Sequence, residues 1–492
     1  MSNSFLSRSK TPFKIALWPF TFGLAALFVL LNQNAARAGW AEDALKSEAD
    51  YIVNCSFTTQ TKNNAQVQTS DAAYGALNDV RVANGPDWVR PGEGAMAMIG
   101  LMAATTKLHA QGVAVEKYNA TIDAFFQTWL LKNRAAICAD EGSPNFGGFA
   151  PQVKYNDDGS LKSAPTEFNS GTTGAMLCAM WKYAEFNRAN QRADQADSWL
   201  KGPAFEIALN GAKFIKRCHN AKYNLVSPAP GGGDLWVNDA SLSVAGLRCV
   251  AKWSEVAGKK AALDDAGTTP DALADQIASG LEKMKDESSW KGFYKFLNPA
   301  DGSRSYGGSL DQLCFVPYET GALDPRAEFA KQISDFWTEG ANERRLTFQT
   351  DDPKKWTYFG TRWHFYDDAA NAETDRLTPG AGLQLAKVEW KYAHANGDKA
   401  LRARAMKRFA WVNSPDYSNL WFGADNRSEA GVGGGIVDWR LAAQPDNKGT
   451  TEPGRAPDWQ RFVDTSAYFI EVTLMAYWDE DTKYTPDEND RP

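Results

Sequence analysis

Six times along this chain an amphipathic helical stretch is followed by a loop and then by a helix that is apolar almost all the way round. An amphipathic helix buries one stripe against a core, whereas a helix without a polar face has to be packed on every side. Alternation of the two demands two layers, with outer helices lying on inner ones. The clearest instance is residues 231–253, GGGDLWVNDASLSVAGLRCVAKW, where a glycine run turns through Trp236 into a small-residue apolar helix. Asn238 or Asp239 stands where a side-chain oxygen would cap the free N–H groups of its first turn.

Taken in order, the periodicity predicts outer helices at Ala41–Cys55, Glu116–Lys132, Phe205–Arg217, Asp271–Lys285, Pro325–Thr338 and Lys399–Trp411. The inner helices are expected at Gly94–Leu108, Thr172–Phe186, Ala240–Val256, a short stretch near Leu310–Val316 cut by Pro317, Ala381–Ala395 and Asp464–Trp478. In the second outer helix Ile122, Phe125, Phe126 and Trp129 share one stripe, with Glu116, Lys117, Asp123 and Gln127 elsewhere. Pro91 and Glu93 suit the start of the first inner helix. Strand-like alternation is confined to the loops, which argues against a parallel α/β fold. A helical solenoid would keep a constant repeat of roughly 34–47 residues, and the spacing of these pairs is irregular.

The expected fold is therefore all-α, an (α/α)6 toroid of six helical hairpins with long loops at the inner-helix entrances. In that organisation the chain resembles the six-hairpin glycosidase superfamily over essentially all of residues 39–492, taken as a single domain. The resemblance implies a carbohydrate-active cleft, in a superfamily whose folds also serve polysaccharide lyases and epimerases. The DxDD-like acid motif of a terpene cyclase is absent from the sequence.

Residues 1–38 stand apart. Arg8, Lys10 and Lys14 form a basic start, residues 15–31 an apolar run, and Ala36-Arg37-Ala38 a small-x-small cleavage site, the three parts of a secretory signal. The expectation is a secreted or periplasmic monomer with no membrane association after cleavage. A net charge of -7, with both signs interspersed, argues against nucleic acid as a partner. Export would permit disulfides among Cys55, Cys138, Cys178, Cys218, Cys249 and Cys314, and the sequence does not choose a pairing. With no CxxC motif and with His109, His219, His364 and His394 scattered, neither a metal site nor a cofactor is expected. Calcium stays open at Asp157-Asp158 or Asp367-Asp368, although neither pair follows the EF-hand spacing.

In a toroid every loop entering an inner helix opens on the same rim, so its residues converge. The aromatic and polar groups Trp88, Arg90, Trp236, Arg304, Tyr306, Arg362, Trp363, His364 and Tyr366 fall there and are the candidates for holding a polysaccharide or oligosaccharide. Pyranose C–H faces lie on aromatic surface while acids and amides bond the hydroxyls. Glycoside hydrolysis needs one protonated and one ionised carboxyl across the cleft. Asp239, Glu167, Asp311 and Asp464, each near an inner-helix entrance, are the candidates, although an acid at that position also serves as a cap. A lyase would instead use arginine against a uronate carboxylate and Tyr or His as base, for which Arg304 with Tyr306 and Arg362 with His364 are suited. A binding protein without catalysis is the third reading.

Overall fold

The apolar helices close into a ring. The computed structural model describes residues 41–58, 61–62, 65–78, 88–287, 291–306, 310–311, 315–339, 347–348, 360–361, 364–365, 376–413, 440–441 and 463–478. The chain divides into Met1–Asp43 and Ala44–Pro492, and the ring is built within the second unit. Its helices are α1 (residues 44–54), α2 (Pro91–Ala110), α3 (Glu116–Asp123, continued by the π-helical Ala124–Asn133), α4 (Ser170–Ala189), α5 (Ala193–Lys201) and α6 (Pro203–Cys218). After these come α7 (Val237–Ala257), α8 (Pro270–Glu282), α9 (Val316–Glu319), α10 (Glu328–Glu339), α11 (Pro379–Asn396), α12 (Lys399–Asn413) and α13 (Val463–Trp478). Helix α2 packs on α4, α4 on α7, α7 on α9, α9 on α11, α11 on α13, and α13 returns to α2. Outside this ring α3 lies on α2, α6 on α4 and α7, α8 on α7, α10 on α11, and α12 on α11 and α13. This is the (α/α)6 toroid.

The ring closes because its helices carry glycine and alanine where they cross. A Cβ at Gly100 would stand 2.8 Å from the Cα of Ala467, one at Gly174 2.2 Å from the carbonyl of Leu242, and one at Gly246 2.5 Å from the carbonyl of Gly174. The backbones of α2 and α13, and of α4 and α7, therefore touch without intervening side chains. Larger residues fill the space between layers. Phe126 stacks on Tyr183 at 4.5 Å, Tyr183 meets Trp199 edge-on at 4.8 Å, and Trp199 lies 6.2 Å from Trp253, which joins the outer layer, α4, α5 and α7. Aromatic pairs of this kind contribute about 0.5–1.5 kcal/mol each beyond area burial.

Short antiparallel pairs bind the rim loops together. Trp88–Val89 pairs with Val153–Lys154, and Leu235–Trp236 with Phe296–Leu297, which also pairs with Arg304–Ser305. Leu310–Asp311 pairs with His364–Phe365, and Arg376–Leu377 with Arg440–Leu441.

Three local readings change. The fourth inner helix is not at Leu310–Val316. Residues 310–311 are strand, and the helix runs Val316–Glu319 with Pro317 in its first turn, where a missing N–H leaves no hydrogen bond unmade. The N-cap of α7 is Trp236, so Asp239 lies inside the first turn and does not cap it. Helix α5, whose apolar side is carried by Ala196, Trp199 and Leu200, is an addition on the outer layer. Cys138, Cys178, Cys218 and Cys249 are free thiols, Cys55 is buried, and Cys314 lies outside the described residues. Among the described residues no helix is long and apolar enough to cross a membrane.

Candidate active site

Because each inner helix follows an outer one, all six inner helices start at the same end of the ring. Their first turns enclose a cavity of about 260 Å³, at the small end of ligand pockets. Helix α2 supplies Glu93 and Met96; α4 supplies Thr172 and its N-cap Asn169; α7 supplies Asn238, Asp239 and Leu242. On the other side stand Glu319 and Thr320 of the α9 turn, Gln384 of α11, and Asp464 and Tyr468 of α13. The composition is that of a site for a polyhydroxylated ligand: carboxyls, three carboxamides, two threonines and a phenol, with the positive ends of the helix dipoles directed inward.

Asn169 joins two walls. Its Oδ1 accepts from the Thr172 N–H at 2.7 Å, capping α4, and its Nδ2 donates to Asp239 Oδ2 at 3.2 Å. Gly171 makes room for that carboxylate, since a Cβ there would lie 2.4 Å from Asp239 Oδ1. Asp239 is buried, and burial raises its carboxyl to about 6, against the opposing hydrogen bond from Asn169.

Across the cavity Glu93 and Asp464 interact. Burial, and then the charge of Asp464, raise Glu93 to about 7, with Arg90 offsetting part of this through an Nη1–Oε1 contact of 3.5 Å. The 32% of the Glu93 side chain that stays open faces the cavity it lines, which is why it is accessible and yet poorly solvated. Burial also raises Asp464, against the Thr465 N–H that donates to its Oδ1 at 2.7 Å. Three carboxyls on three helix N-termini thus hold their protons more tightly than a solvated acid does.

The fourth carboxyl differs. Glu319 is buried and accepts a hydrogen bond from Lys387 Nζ at 2.7 Å, while Lys387 also donates to Glu471 and Lys391 donates to the Glu319 carbonyl at 3.1 Å. Burial alone would lower Lys387, but Glu319 and Glu471 together hold it above its ordinary range. Burial and then the charge of Lys387 bring Lys391 down to about 8. Glu319 thus faces a fixed, buried cation. Among the described residues no three His, Cys, Asp or Glu side chains are grouped so as to hold a metal ion.

Of the carboxyls expected from sequence, Asp239 and Asp464 line the cavity. Glu167 is exposed, two residues before the α4 cap, and is not among the lining residues. Asp311 is placed by its strand alone, opposite His364, and its side chain lies outside the described residues. Arg90 stands beside Glu93. Trp236 packs on Phe296 at 5.3 Å just before α7. Arg304 donates to the Lys283 carbonyl at 2.6 Å and lies over the Tyr294 ring, and Tyr306 donates to Asp286 at 2.8 Å. Neither Arg304 nor Tyr306 lines the cavity. The side chains of Trp88 and His364, and all of Arg362, Trp363 and Tyr366, lie outside the described residues. Glu93, read from sequence only as a helix-start residue on the rim, joins the displaced carboxyls; Glu319, Gln384 and Tyr468 were not anticipated. The available signal was position, since Glu93 and Asp239 are each the third residue of an inner helix.

No family model matches the sequence, and no curated protein matches it. Solved structures do resemble it. A D-mannose isomerase has a TM-score of 0.53 at 9% identity, covering 87% of this chain and 96% of its own. An unsaturated glucuronyl hydrolase specific for heparin gives 0.53 at 10% identity, with 91% and 98% covered. The cellobiose 2-epimerase of Bacillus thermoamylovorans B4167 gives 0.50 at 11%, with 81% and 92% covered. At these identities the likeness is one of fold, a six-hairpin toroid matched over nearly its whole length.

Proposed function

We propose that the protein is an exported glycoside hydrolase, with Glu93 as the general acid and Asp239 as the ionised partner. The observation that carries this is the pair of displaced carboxyls in one cavity, Glu93 at about 7 and Asp239 at about 6. Between those values Glu93 keeps its proton while Asp239 has lost its own, which is the division of labour glycosidic cleavage needs. Glu93 protonates the leaving oxygen as the C–O bond breaks, and Asp239 either attacks the anomeric carbon or takes a proton from the water that does. Asp464, whose charge raises Glu93, keeps the acid protonated. Asn169, Asn238 and Gln384 line the same cavity, and their carboxamides suit sugar hydroxyls. Glu167 has no part in this assignment. The fold shared with carbohydrate-processing enzymes supports a saccharide substrate, and the signal-like residues 1–38 support export.

The test is to incubate residues 39–492 with neutral and uronic-acid oligosaccharides while recording reducing ends and near-ultraviolet absorbance together. Hydrolysis gives new reducing ends without absorbance, and Glu93→Gln and Asp239→Asn should each abolish it while the circular dichroism spectrum is retained. Absorbance rising with the reducing ends would mean β-elimination by a lyase. Epimerised or isomerised product without new ends would overturn hydrolysis in favour of the chemistry of the other fold relatives.

A further inference from the structure

Helices α4 and α7 approach more closely than side chains normally allow, because Gly174 and Gly246 face each other's backbone at their crossing. One turn beyond Gly174 stands Cys178, and three residues beyond Gly246 stands Cys249. Their Sγ atoms are 3.6 Å apart. Both side chains are half-buried, and Lys182 and Lys252, each within a turn of one of the cysteines, are exposed. Cys55, Cys138 and Cys218 are buried.

We infer that Cys178 and Cys249 form a reversible disulfide that ties α4 to α7 beneath the cavity. The crossing already brings the two Sγ atoms to 3.6 Å, about 1.5 Å beyond the length of a disulfide bond. Cys249 is the nucleophile. The hydrogen bond shared with Cys178 lowers its thiol, with Lys182 and Lys252 adding to this against the effect of burial, whereas the same hydrogen bond and burial raise Cys178. The Cys249 thiolate attacks a small-molecule disulfide such as oxidised glutathione and releases one thiolate. Cys178 then gives its proton to solvent, attacks the mixed disulfide and releases the second thiolate. Two protein thiols are oxidised and one reagent S–S bond is reduced to two thiols. The link joins the helix capped by Asn169 to the helix carrying Asp239, and so braces the hydrogen bond between them. It does not depend on which reaction the cavity performs.

The experiment treats the full chain with oxidised glutathione or with dithiothreitol, blocks free thiols under denaturing conditions, and maps the unreduced digest by mass spectrometry. The expected result is a linked peptide pair containing Cys178 and Cys249, a thiol count lower by two than in the reduced sample, and a higher melting temperature for the oxidised form. In the C178S/C249S double variant the difference in count and in melting temperature disappears. An unchanged thiol count, separate glutathione adducts on the two cysteines, or a link mapped to another cysteine would each overturn the inference. The wild-type peptide map decides the matter even where the double variant does not fold.

Discussion

Replacing Glu93 by Gln should stabilise the protein above neutrality and leave it unchanged in acid. The fold moves this carboxyl from 4.5 to about 7. Below about pH 4 it is protonated in folded and unfolded chains alike, and the two states bind equal numbers of protons. Between 4.5 and 7 the unfolded chain releases a proton that the native chain keeps, so stability falls as pH rises through that window. At about 1.4 kcal/mol for each pH unit, holding Glu93 ionised in the fold costs on the order of 3 kcal/mol above pH 7. The open third of the side chain is screened, which reduces this to about 2 kcal/mol. Glutamine has the same shape and no charge, and gives up only the half-exposed contact to Arg90, worth less than about 1 kcal/mol. Urea unfolding of the two proteins should therefore give equal stabilities near pH 4 and a gain of about 1–2 kcal/mol for the variant near pH 8. The same variant should be inactive, the usual exchange of function for stability at a strained site. A pH-independent difference, or a loss of stability at pH 8, would refute the claim that burial and Asp464 hold this acid out of its ordinary range. Asp464→Asn provides the control: without the charge of Asp464 the window of falling stability should end at a lower pH.

Other consequences rest on single contacts. Gly171→Ala places a Cβ 2.4 Å from Asp239 Oδ1 and must push that carboxylate aside by roughly 1 Å. A shift of that size lowers turnover by about 100-fold, with a stability loss of about 1–3 kcal/mol, to be read from steady-state kinetics and thermal melts. On the proposed assignment, the rate of the wild-type protein should trace a bell in pH, rising as Asp239 ionises near 6 and falling as Glu93 ionises near 7, so its optimum is narrow. Far from the cavity, Glu389 is fully buried and accepts from Arg408 Nε at 3.0 Å and from Ser334 Oγ at 2.6 Å, joining α10, α11 and α12. Glu389→Ala should cost about 3–5 kcal/mol in denaturant unfolding, whereas replacing Glu389 and Arg408 together by Met should be close to neutral.

The parts of the structure legible in the sequence are those that each helix carries within itself. Helix α7 could be placed from its small apolar residues, because whether a helix is buried on one side or on all sides is written in its own periodicity. The loops at its entrance likewise marked the rim, since connectivity alone sends every inner helix the same way. What could not be read there depends on groups far apart in the chain. Lys387 meets Glu319 and Glu471 across separations of 68 and 84 residues, and no spacing rule links them. Asp239 looked like a cap because a cap and a cavity carboxyl occupy nearly the same position. The difference lies in whether the backbone N–H groups or the neighbouring helices fill the space beside it, and Gly171 on α4 decides that. One local signal was available all the same. The stretch AKVEWKYA of α11 carries Lys387, Glu389 and Lys391 on a helix that is otherwise largely apolar, and FIEVTLM of α13 carries Glu471. A charge on such a helix has no solvent to face, so it has to meet an opposite charge from another helix. In a closed ring the partners can come only from neighbouring inner helices or from the outer layer. Lys387 finds its partners on the inner helices and holds the cavity residue Glu319, while Glu389 finds Arg408 on the outer layer and fastens the layers. Two residues apart on one helix, they face opposite sides of the ring, which is why one belongs to the site and the other to the frame that holds it.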